Sequence, residues 1–248
     1  MQSRSKTMHT SIIELRRYRL KPGTRQALID LFDREFIESQ EACGMSVIGQ
    51  FRDLDDANSF AWLRGFADMD GRAKALGTFY TGPVWAQHCD AANGTMVNSD
   101  NVLLLRPAHA TTGFATPAHP RPAITDGIPA TGFVEASICA LAPGRASEFA
   151  AFFAEKLRPT LRDCGADILA ELISETAPNS FPRLPVREGE TVFVWLARFD
   201  SPSGYATFSD RLASHPDWQN HLASELDQWL WRPREILRLA PTARSHLR

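Results

Sequence analysis

The stretch Phe60–Phe66, with the sequence FAWLRGF, decides the fold because it returns as FVWLARF at Phe193–Phe199. The sequence around it also repeats, at an offset of 121 residues before this stretch (141 − 20) and of 133 residues from it onward (193 − 60). A duplicated unit of about one hundred residues predicts two copies of one foldable unit related by pseudo-symmetry. The other matched positions are Leu20, Pro22 and Gly23 with Leu141, Pro143 and Gly144, Cys43-Gly44 with Cys164-Gly165, and Pro83, Trp85 and His88 with Pro216, Trp218 and His221.

The order of patterns in each copy predicts a ferredoxin-like βαββαβ unit. The first copy has candidate strands at 11–20, 45–52, 58–67 and 102–106, with candidate helices at 24–42 and 71–92, the second broken at Gly82-Pro83. In the second copy the strands are 133–140, 166–175, 191–200 and 235–239, and the helices are 145–163 and 204–230, broken at Pro216. The additional residues of the second copy fall in the hairpin at 176–190, where an insertion costs little.

These patterns divide the chain into five parts. We expect a flexible N-terminus at 1–10, a first repeat at 11–107, a proline-rich linker at 108–131, a second repeat at 132–241 and a C-terminal tail at 242–248.

Both faces of the third strand in each copy are largely apolar. In the first copy Phe60, Trp62 and Phe66 alternate with Ala61 and Leu63. A strand that is apolar on both faces must be covered on both. The sister sheet is the expected cover, packed face to face or closed into a barrel with the helices outside, and the alternative is two independent domains on a linker.

The composition excludes several classes of protein. The chain has 248 residues, 44% hydrophobic and 23% charged, with a net charge of −2, so neither a basic nucleic-acid surface nor a disordered protein is expected. The four cysteines lack the spacing of a zinc site, and those beside Gly44 and Gly165 lie at helix C-termini, where the helix dipole does not activate a thiol. There is no apolar segment long enough to cross a bilayer and no signal-peptide core, which favours a cytoplasmic protein.

The first copy resembles the NIPSNAP family. The resemblance rests on Phe60–Asp68 (FAWLRGFAD), Gly71-Arg72, Phe79–Trp85 (FYTGPVW) and Ala91–Arg106 (AANGTMVNSDNVLLLR). It implies a dimeric α+β barrel, here formed by two tandem repeats within one chain. It implies no particular reaction, since the wider superfamily includes cofactor-free monooxygenases, isomerases and haem enzymes. The second copy departs from the pattern, with Ala197, Ala213 and His215 in place of Arg64, Tyr80 and Gly82, so the first copy is the better candidate for a working pocket.

The Pro-x-Trp-x-x-His element is the first candidate for chemistry. Trp85 and His88 lie three residues apart on one predicted helical face, as do Trp218 and His221. His88 is a candidate general base or hydrogen-bond donor. The alternative is a structural tryptophan beside a histidine at the solvent edge.

Arg64 is the second candidate because it shares a strand face with Trp62 and Phe66. An arginine there is costly unless it is paired or faces a polar pocket. It is either an anion clamp beside aromatic walls or part of a salt bridge to Asp68, Asp70 or Glu14. Arg72, on the following helix, is predicted to be a surface residue or a strand-end partner.

The functional hypothesis is a small aromatic or acyl molecule, bound or transformed between sheet and helices without a metal or other cofactor. An enzyme of this kind would be a cofactor-independent monooxygenase, isomerase or lyase. The alternatives are a non-catalytic scaffold and a haem-binding protein that uses His88 or His221, and the two-repeat chain could form a homodimer. No membrane or nucleic-acid partner is expected. The candidate catalytic residues are His88, Arg64 and Tyr80; the candidate substrate-binding residues are Trp62, Phe66, Trp85, Tyr18, Trp195, Trp218 and His221.

Overall fold

The computed structural model of the chain describes residues 10–115, 117, 119–124 and 131–248, so most of the predicted N-terminus lies outside the described residues. The strands of the first half are β1 (Ile12–Leu20), β2 (Ser46–Asp53), β3 (Ser59–Phe66) and β4 (Met96–Pro107). Those of the second half are β5 (Phe133–Leu141), β6 (Asp167–Ser174), β7 (Thr191–Phe199) and β8 (Glu235–Pro241).

These eight strands of the described chain close into one antiparallel barrel. The order around it is β4-β1-β3-β2-β8-β5-β7-β6, so each half contributes four neighbouring strands in the same internal order. Two seams join the halves: β2 pairs with β8, from Phe51 opposite Pro241, and β4 pairs with β6, from Leu105 opposite Ser174. The predicted barrel is therefore confirmed. Independent domains on a linker are excluded, because hydrogen bonds at both seams run from one half to the other.

The helices lie outside this barrel. They are α1 (Arg25–Leu31), α2 (Ile37–Ala42), α3 (Met69–Tyr80) and α4 (Pro83–Thr95) in the first half, and α5 (Ala146–Phe152), α6 (Arg158–Asp163), α7 (Pro202–Ser214) and α8 (Ala223–Trp229) in the second. Pro83 begins α4, as the missing N–H of proline allows. None of the helices in the described part of the chain is long and apolar enough to cross a membrane.

Three details differ from the sequence prediction. β4 begins at Met96, six residues before the predicted strand, because its polar first half pairs along β1 from Leu20 to Arg17. A turn of π-helix at Phe32–Phe36 interrupts the first predicted helix, and another at Phe153–Leu157 interrupts its counterpart 121 residues later (153 − 32). A third π-helical turn, Trp218–Leu222, precedes α8. The first two turns occupy the same place in both halves, as expected of duplicated elements.

The barrel interior is an aliphatic core. Alternate residues of β1 and β3, such as Ile13, Leu15 and Leu63, meet Val134 and Leu196 of the second half there. The opposite face of each strand packs on the helices and is aromatic in both halves, as Trp62 and Trp195 are. The inner face of each half is thus covered by the other half, as a strand apolar on both faces requires.

Two arginines outside the repeats, one in the linker and one in the C-terminal segment, bond the first half. Arg121 donates to the carbonyl of Val47 at 2.6 Å and to Glu41 at 2.8 Å. Arg244, which is buried, bonds the Glu38 carboxylate and donates to the carbonyl of Pro122 at 2.9 Å. Residues that follow the last strand therefore help to hold the α1–α2 helix in place.

Candidate functional site

The candidate site is a polar layer between the barrel wall and the helices of the first half. Alternation along β1 turns Glu14 and Arg16 toward the helices, together with Tyr18. In the β1–β3 pairing, Glu14 lies opposite Arg64 and Arg16 lies opposite Trp62. Two neighbouring strands thus place an acid and two arginines inside a layer that is otherwise apolar.

Glu14 is the centre of this layer. Its Oε2 accepts from Arg64 Nε at 2.7 Å and from Arg16 Nη1 at 2.8 Å, and its Oε1 accepts from Arg72 Nε at 2.7 Å. All four side chains are buried. Burial alone would raise the pKa of Glu14, but the charges of Arg64, Arg16 and Arg72 hold it well below its usual range. Glu14 is therefore a carboxylate, and the cluster it forms carries an excess of two positive charges.

Arg72 reaches the cluster because it lies in the first turn of α3. The Asp68 carboxylate accepts the backbone N–H of Gly71 at 2.6 Å and so begins this helix. The prediction of a surface position for Arg72 is wrong, since its guanidinium is fully buried against Glu14. Of the three candidate partners of Arg64, the structure selects Glu14, because Asp68 is used as the helix cap and Asp70 is exposed.

Aromatic rings surround the guanidinium groups. Arg64 Cζ lies 5.0 Å from the Trp62 ring centroid and 5.6 Å from that of Phe66. Arg16 Cζ lies 5.5 Å from the Tyr18 centroid and 5.7 Å from that of Trp62, and Arg16 Nε donates to the Tyr18 hydroxyl at 3.1 Å. Such contacts are worth about 2 kcal/mol when desolvated and fix the orientation of each guanidinium plane.

Buried polar groups of this layer lack a hydrogen-bond partner among the described residues. Three of them are N–H groups in or beside the Glu14 cluster: Arg64 Nη2, Arg72 Nη2 and Trp62 Nε1. The buried amide of Gln50, which lies opposite Trp62 in the β2–β3 pairing, also has no partner for its Nε2 or its Oε1. Leaving a buried donor unpaired costs about 1–3 kcal/mol, and more for a charged group. The buried cluster of the first half therefore contains cationic and neutral donors that are not all hydrogen-bonded.

The hairpin loop of the second half covers this cluster. Arg72 Nη1 donates to Asn179 Oδ1 at 2.9 Å and to Ser180 Oγ at 3.1 Å. Next in the chain, Phe181 stacks on Tyr80 with ring centroids 6.0 Å apart. The inserted residues, which the sequence placed only in a surface loop, thus contribute to the site of the other half.

Tyr80 and Trp85 continue the layer outward, with ring centroids 4.8 Å apart. His88 lies one helical turn further on, where its Nε2 is 3.6 Å from Glu35 Oε2 and its ring is 6.4 Å from that of Phe36. The structure therefore brings Arg64, Trp62, Phe66, Tyr18, Tyr80 and Trp85 into one continuous layer. It places His88 beside Glu35 at a partly exposed edge.

The first half matches a known protein family. Residues 13–110 match the NIPSNAP family model. The resemblance that the sequence indicated is thereby confirmed for the NIPSNAP-like half, β1 to β4. A NIPSNAP family protein of unknown function from Agrobacterium tumefaciens is 23% identical over 40% of this chain and 89% of its own, with a TM-score of 0.37. No curated protein matches significantly.

Solved structures also match nearly the whole chain. A proposed monooxygenase from Lactobacillus acidophilus is 13% identical, with a TM-score of 0.58 and coverage of 94% of each chain. An anthrone oxidase-like protein is 12% identical, with a TM-score of 0.60 and coverage of 94% of this chain and 92% of its own. At these identities the similarity establishes the fold alone: an α+β barrel shared by both halves.

The second half retains the acid of the NIPSNAP-like half but not its arginines. Glu135 lies in the position of Glu14, and it accepts a hydrogen bond from Ser137 at 2.5 Å, where the first half has Arg16. Burial, followed by the charge of Glu135, raises the pKa of Tyr205 to about 12, and Tyr205 stands where the first half has Arg72. Ala197 replaces Arg64.

The remaining candidates of the second half lie apart from the cluster. Trp195 is buried, with Arg234 Cζ 5.1 Å from its ring centroid. Trp218 is half-buried and His221 is exposed. Within the part of the chain that the structure describes, no group of three or more His, Cys, Asp or Glu side chains could hold a metal ion. Burial raises the pKa of Cys139 to about 12 and also raises that of Cys43, so neither is a reactive thiolate.

Sequence reasoning missed the centre of the site. The sequence pattern indicates Glu14 only as one of three possible partners of Arg64 and does not single out Arg16 or Gln40. Two signals were available: polar residues at alternate positions of β1, and the 121-residue offset that relates Glu14 to Glu135. Asn179 and Ser180 gave no such signal, because their approach depends on how the two halves pack.

Proposed function

We propose that the chain is a tandem duplication of a ferredoxin-like unit whose first half binds a small aromatic or acyl molecule between barrel and helices. The observation that carries this proposal is the buried Glu14–Arg16–Arg64–Arg72 cluster, enclosed by aromatic rings and containing three unpaired donors. A structural ion-pair cluster is normally fully hydrogen-bonded. A ligand that accepts these donors and packs on the rings accounts for their being unpaired.

The chemistry that such a site supports is binding and polarisation of a bound molecule. The arginines are permanently cationic and serve as hydrogen-bond donors rather than as bases. The Tyr18 phenol stays protonated, because burial raises its pKa. His88, beside Glu35, is the residue proposed to move protons, and Tyr80 lies between it and the arginines. The proposed activity is that of a cofactor-independent monooxygenase, isomerase or lyase, and the proposed location of the protein is the cytoplasm.

A non-catalytic scaffold is the second candidate, and the aliphatic barrel interior favours it. Ile13, Leu63 and Val194 are among the residues that fill this interior, and all are fully buried. Binding inside the barrel is not proposed, so a scaffold role would use outer surfaces, including association of two chains.

The six tryptophans of the chain allow a direct test. Protein labelled with 5-fluorotryptophan is titrated with phenylacetate, phenylacetamide, hexanoate and hexanamide while ¹⁹F resonances are followed. Single Trp→Phe variants assign the signals. At least one of these molecules should shift Trp62 and Trp85 and leave Trp195 and Trp218 unchanged. If none shifts the first pair, or if the second pair responds instead, the proposed site is wrong.

His88→Asn and Tyr80→Phe separate catalysis from binding. Each should retain the ligand-induced shifts of Trp62, since neither side chain bonds Glu14. Loss of turnover with retained binding would support an enzyme, whereas unchanged turnover in both variants would exclude the proposed catalytic roles.

A further inference from the structure

We propose that the ligand of the first half is an anion, specifically a carboxylate on an aromatic or acyl molecule, and that each chain holds one such site. This inference rests on the proposed function and adds the charge of the ligand, the groups that recognise it and its stoichiometry.

The buried layer carries an excess of positive charge. Among the described residues, Glu14 is the carboxylate that forms ion pairs with Arg16, Arg64 and Arg72. Guanidinium groups do not lose their protons in proteins, so burial cannot neutralise the excess. Uncompensated buried charge is strongly unfavourable unless a counter-ion joins it. A ligand that brings negative charge is therefore the complement of this layer.

The N–H donors of Arg64 and Arg72 are divided in the same way between protein acceptors and unused positions. Glu14 occupies the Nε of both Arg64 and Arg72, each at 2.7 Å. Gln40 accepts from Nη1 of Arg64 at 3.1 Å, and Asn179 accepts from Nη1 of Arg72 at 2.9 Å. In each guanidinium only Nη2 is left without a partner. Glu14 bridges the two guanidinium groups through Nε and leaves one unused cationic donor on each of them.

A neutral donor, the indole N–H of Trp62, belongs to the same layer as these two guanidinium groups. The indole of Trp62 stacks against Arg64, with Cζ 5.0 Å from its ring centroid, and its buried Nε1–H is also unpaired. A carboxylate has two oxygens that accept several hydrogen bonds, including bonds from guanidinium groups. Two cationic donors and one neutral donor match that capacity, and the rings of Tyr18 and Phe66 lie in the same buried layer.

The two halves differ in the residues that surround the buried acid. The positions of Arg16, Arg64 and Arg72 correspond to Ser137, Ala197 and Tyr205 in the second half. Glu135 there accepts from the Ser137 hydroxyl group. Arg234, which stacks on Trp195, is a single cation against the single charge of Glu135, so this layer lacks the excess positive charge of the first half. No atom of residues 131–241, a stretch that the structure describes without a gap, is among the buried side-chain atoms that lack a partner. The second half therefore offers no equivalent anion site and contributes the cover through Asn179 and Ser180.

The test compares each acid with its own amide. Full-length protein is titrated with phenylacetate and phenylacetamide, and with hexanoate and hexanamide, by calorimetry at constant ionic strength. At least one acid should bind at least about tenfold more tightly than its amide, with one molecule per chain. Equal affinity of acid and amide, or two molecules per chain, would overturn the anion inference and leave the proposed function standing. If neither acid nor amide binds, both fail.

Trp62→Phe is the decisive variant because it removes one donor and leaves every ion pair of Glu14 in place. Affinity for the acid should fall about tenfold, while affinity for the amide changes less. Trp195→Phe, the same substitution at the corresponding position of the second half, is the matched control and should leave both affinities unchanged. Equal effects of the two substitutions would contradict the assignment of the Trp62 indole to the site.

Discussion

Glu14 and Glu135 occupy corresponding positions on β1 and β5, but Glu14 lies opposite Arg64 in the neighbouring strand whereas Glu135 lies opposite Ala197. The strand order is the same in both halves, whereas the charges around the two acids differ. One half holds three arginines around its acid, and the other satisfies its acid with a hydroxyl group.

Glu14→Gln should destabilise the protein much more than Glu135→Gln. Removing the carboxylate leaves three buried guanidinium groups without a counter-ion, a change that costs about 3–5 kcal/mol. Glu135 accepts from the neutral hydroxyl groups of Ser137 and Tyr205, and loss of one such hydrogen bond costs about 1 kcal/mol. Urea unfolding of the two variants measures the difference. Equal losses of unfolding free energy in the two variants would contradict the role of the Glu14 charge as the counter-ion of the three arginines.

Asp33 should make the stability of the protein fall as the pH rises, which is the opposite of the effect of an ordinary salt-bridged acid. Burial raises the pKa of Asp33 to about 6 from 3.8, although Arg244 and Arg121 act to lower it. Because the folded pKa lies above the unfolded value, the ionised side chain opposes folding. Stability present at low pH is therefore lost as the pH rises from about 4 through about 6.

Asp33→Asn should accordingly raise the melting temperature at pH 7.5 and change it little at pH 4. Asp30→Asn is the matched control, since Asp30 is exposed and borders the same cleft of about 360 Å³. A gain in the Asp33 variant that is the same at both pH values would contradict the pKa assigned to Asp33.

The first half expressed alone, residues 11–107, should form a homodimer. Separation exposes the edges of β2 and β4, which pair with β8 and β6 in the intact chain. Unpaired edges and a bare aliphatic face favour association, and a second copy offers the edges needed to close the barrel again. Light scattering after size-exclusion chromatography gives the mass. A folded monomer would show that the seams are not required.

Replacing 176–189 with a short turn should leave the barrel folded but loosen α3. Arg72 would lose its bonds to Asn179 and Ser180, and Tyr80 would lose the Phe181 ring. We expect faster amide exchange in α3, with little change in α7 of the second half. Phe181→Ala in the full-length loop is the control for the ring alone. Unchanged exchange in α3 would mean that the loop does not support the site.

The fold was largely predictable because its signals are local and repeated. The repeat at Phe60–Phe66, turns such as the one at Gly23 and alternating apolar faces are all properties of short segments. The limits of the helices were less predictable: the π-helical turn at Phe32–Phe36 and the early start of β4 depend on contacts with neighbouring elements.

The site was predicted only in part. The aromatic members Trp62, Phe66 and Tyr80 and the cation Arg64 stand out in the sequence. Arg72 was misplaced, because an arginine in the first turn of a helix is normally solvated, and only its approach to Glu14 makes burial tolerable.

The sequence by itself determined which segments recur, the order of strands and helices in each half, and the need of each half for a cover. The tertiary structure alone decided that the cover is a closed barrel, that Glu14 gathers three arginines, and that a loop of the second half closes over the first. The physical reason is range: periodicity and turn chemistry act within a few residues, whereas compensation of buried charge depends on which distant side chains the packing brings within hydrogen-bond distance.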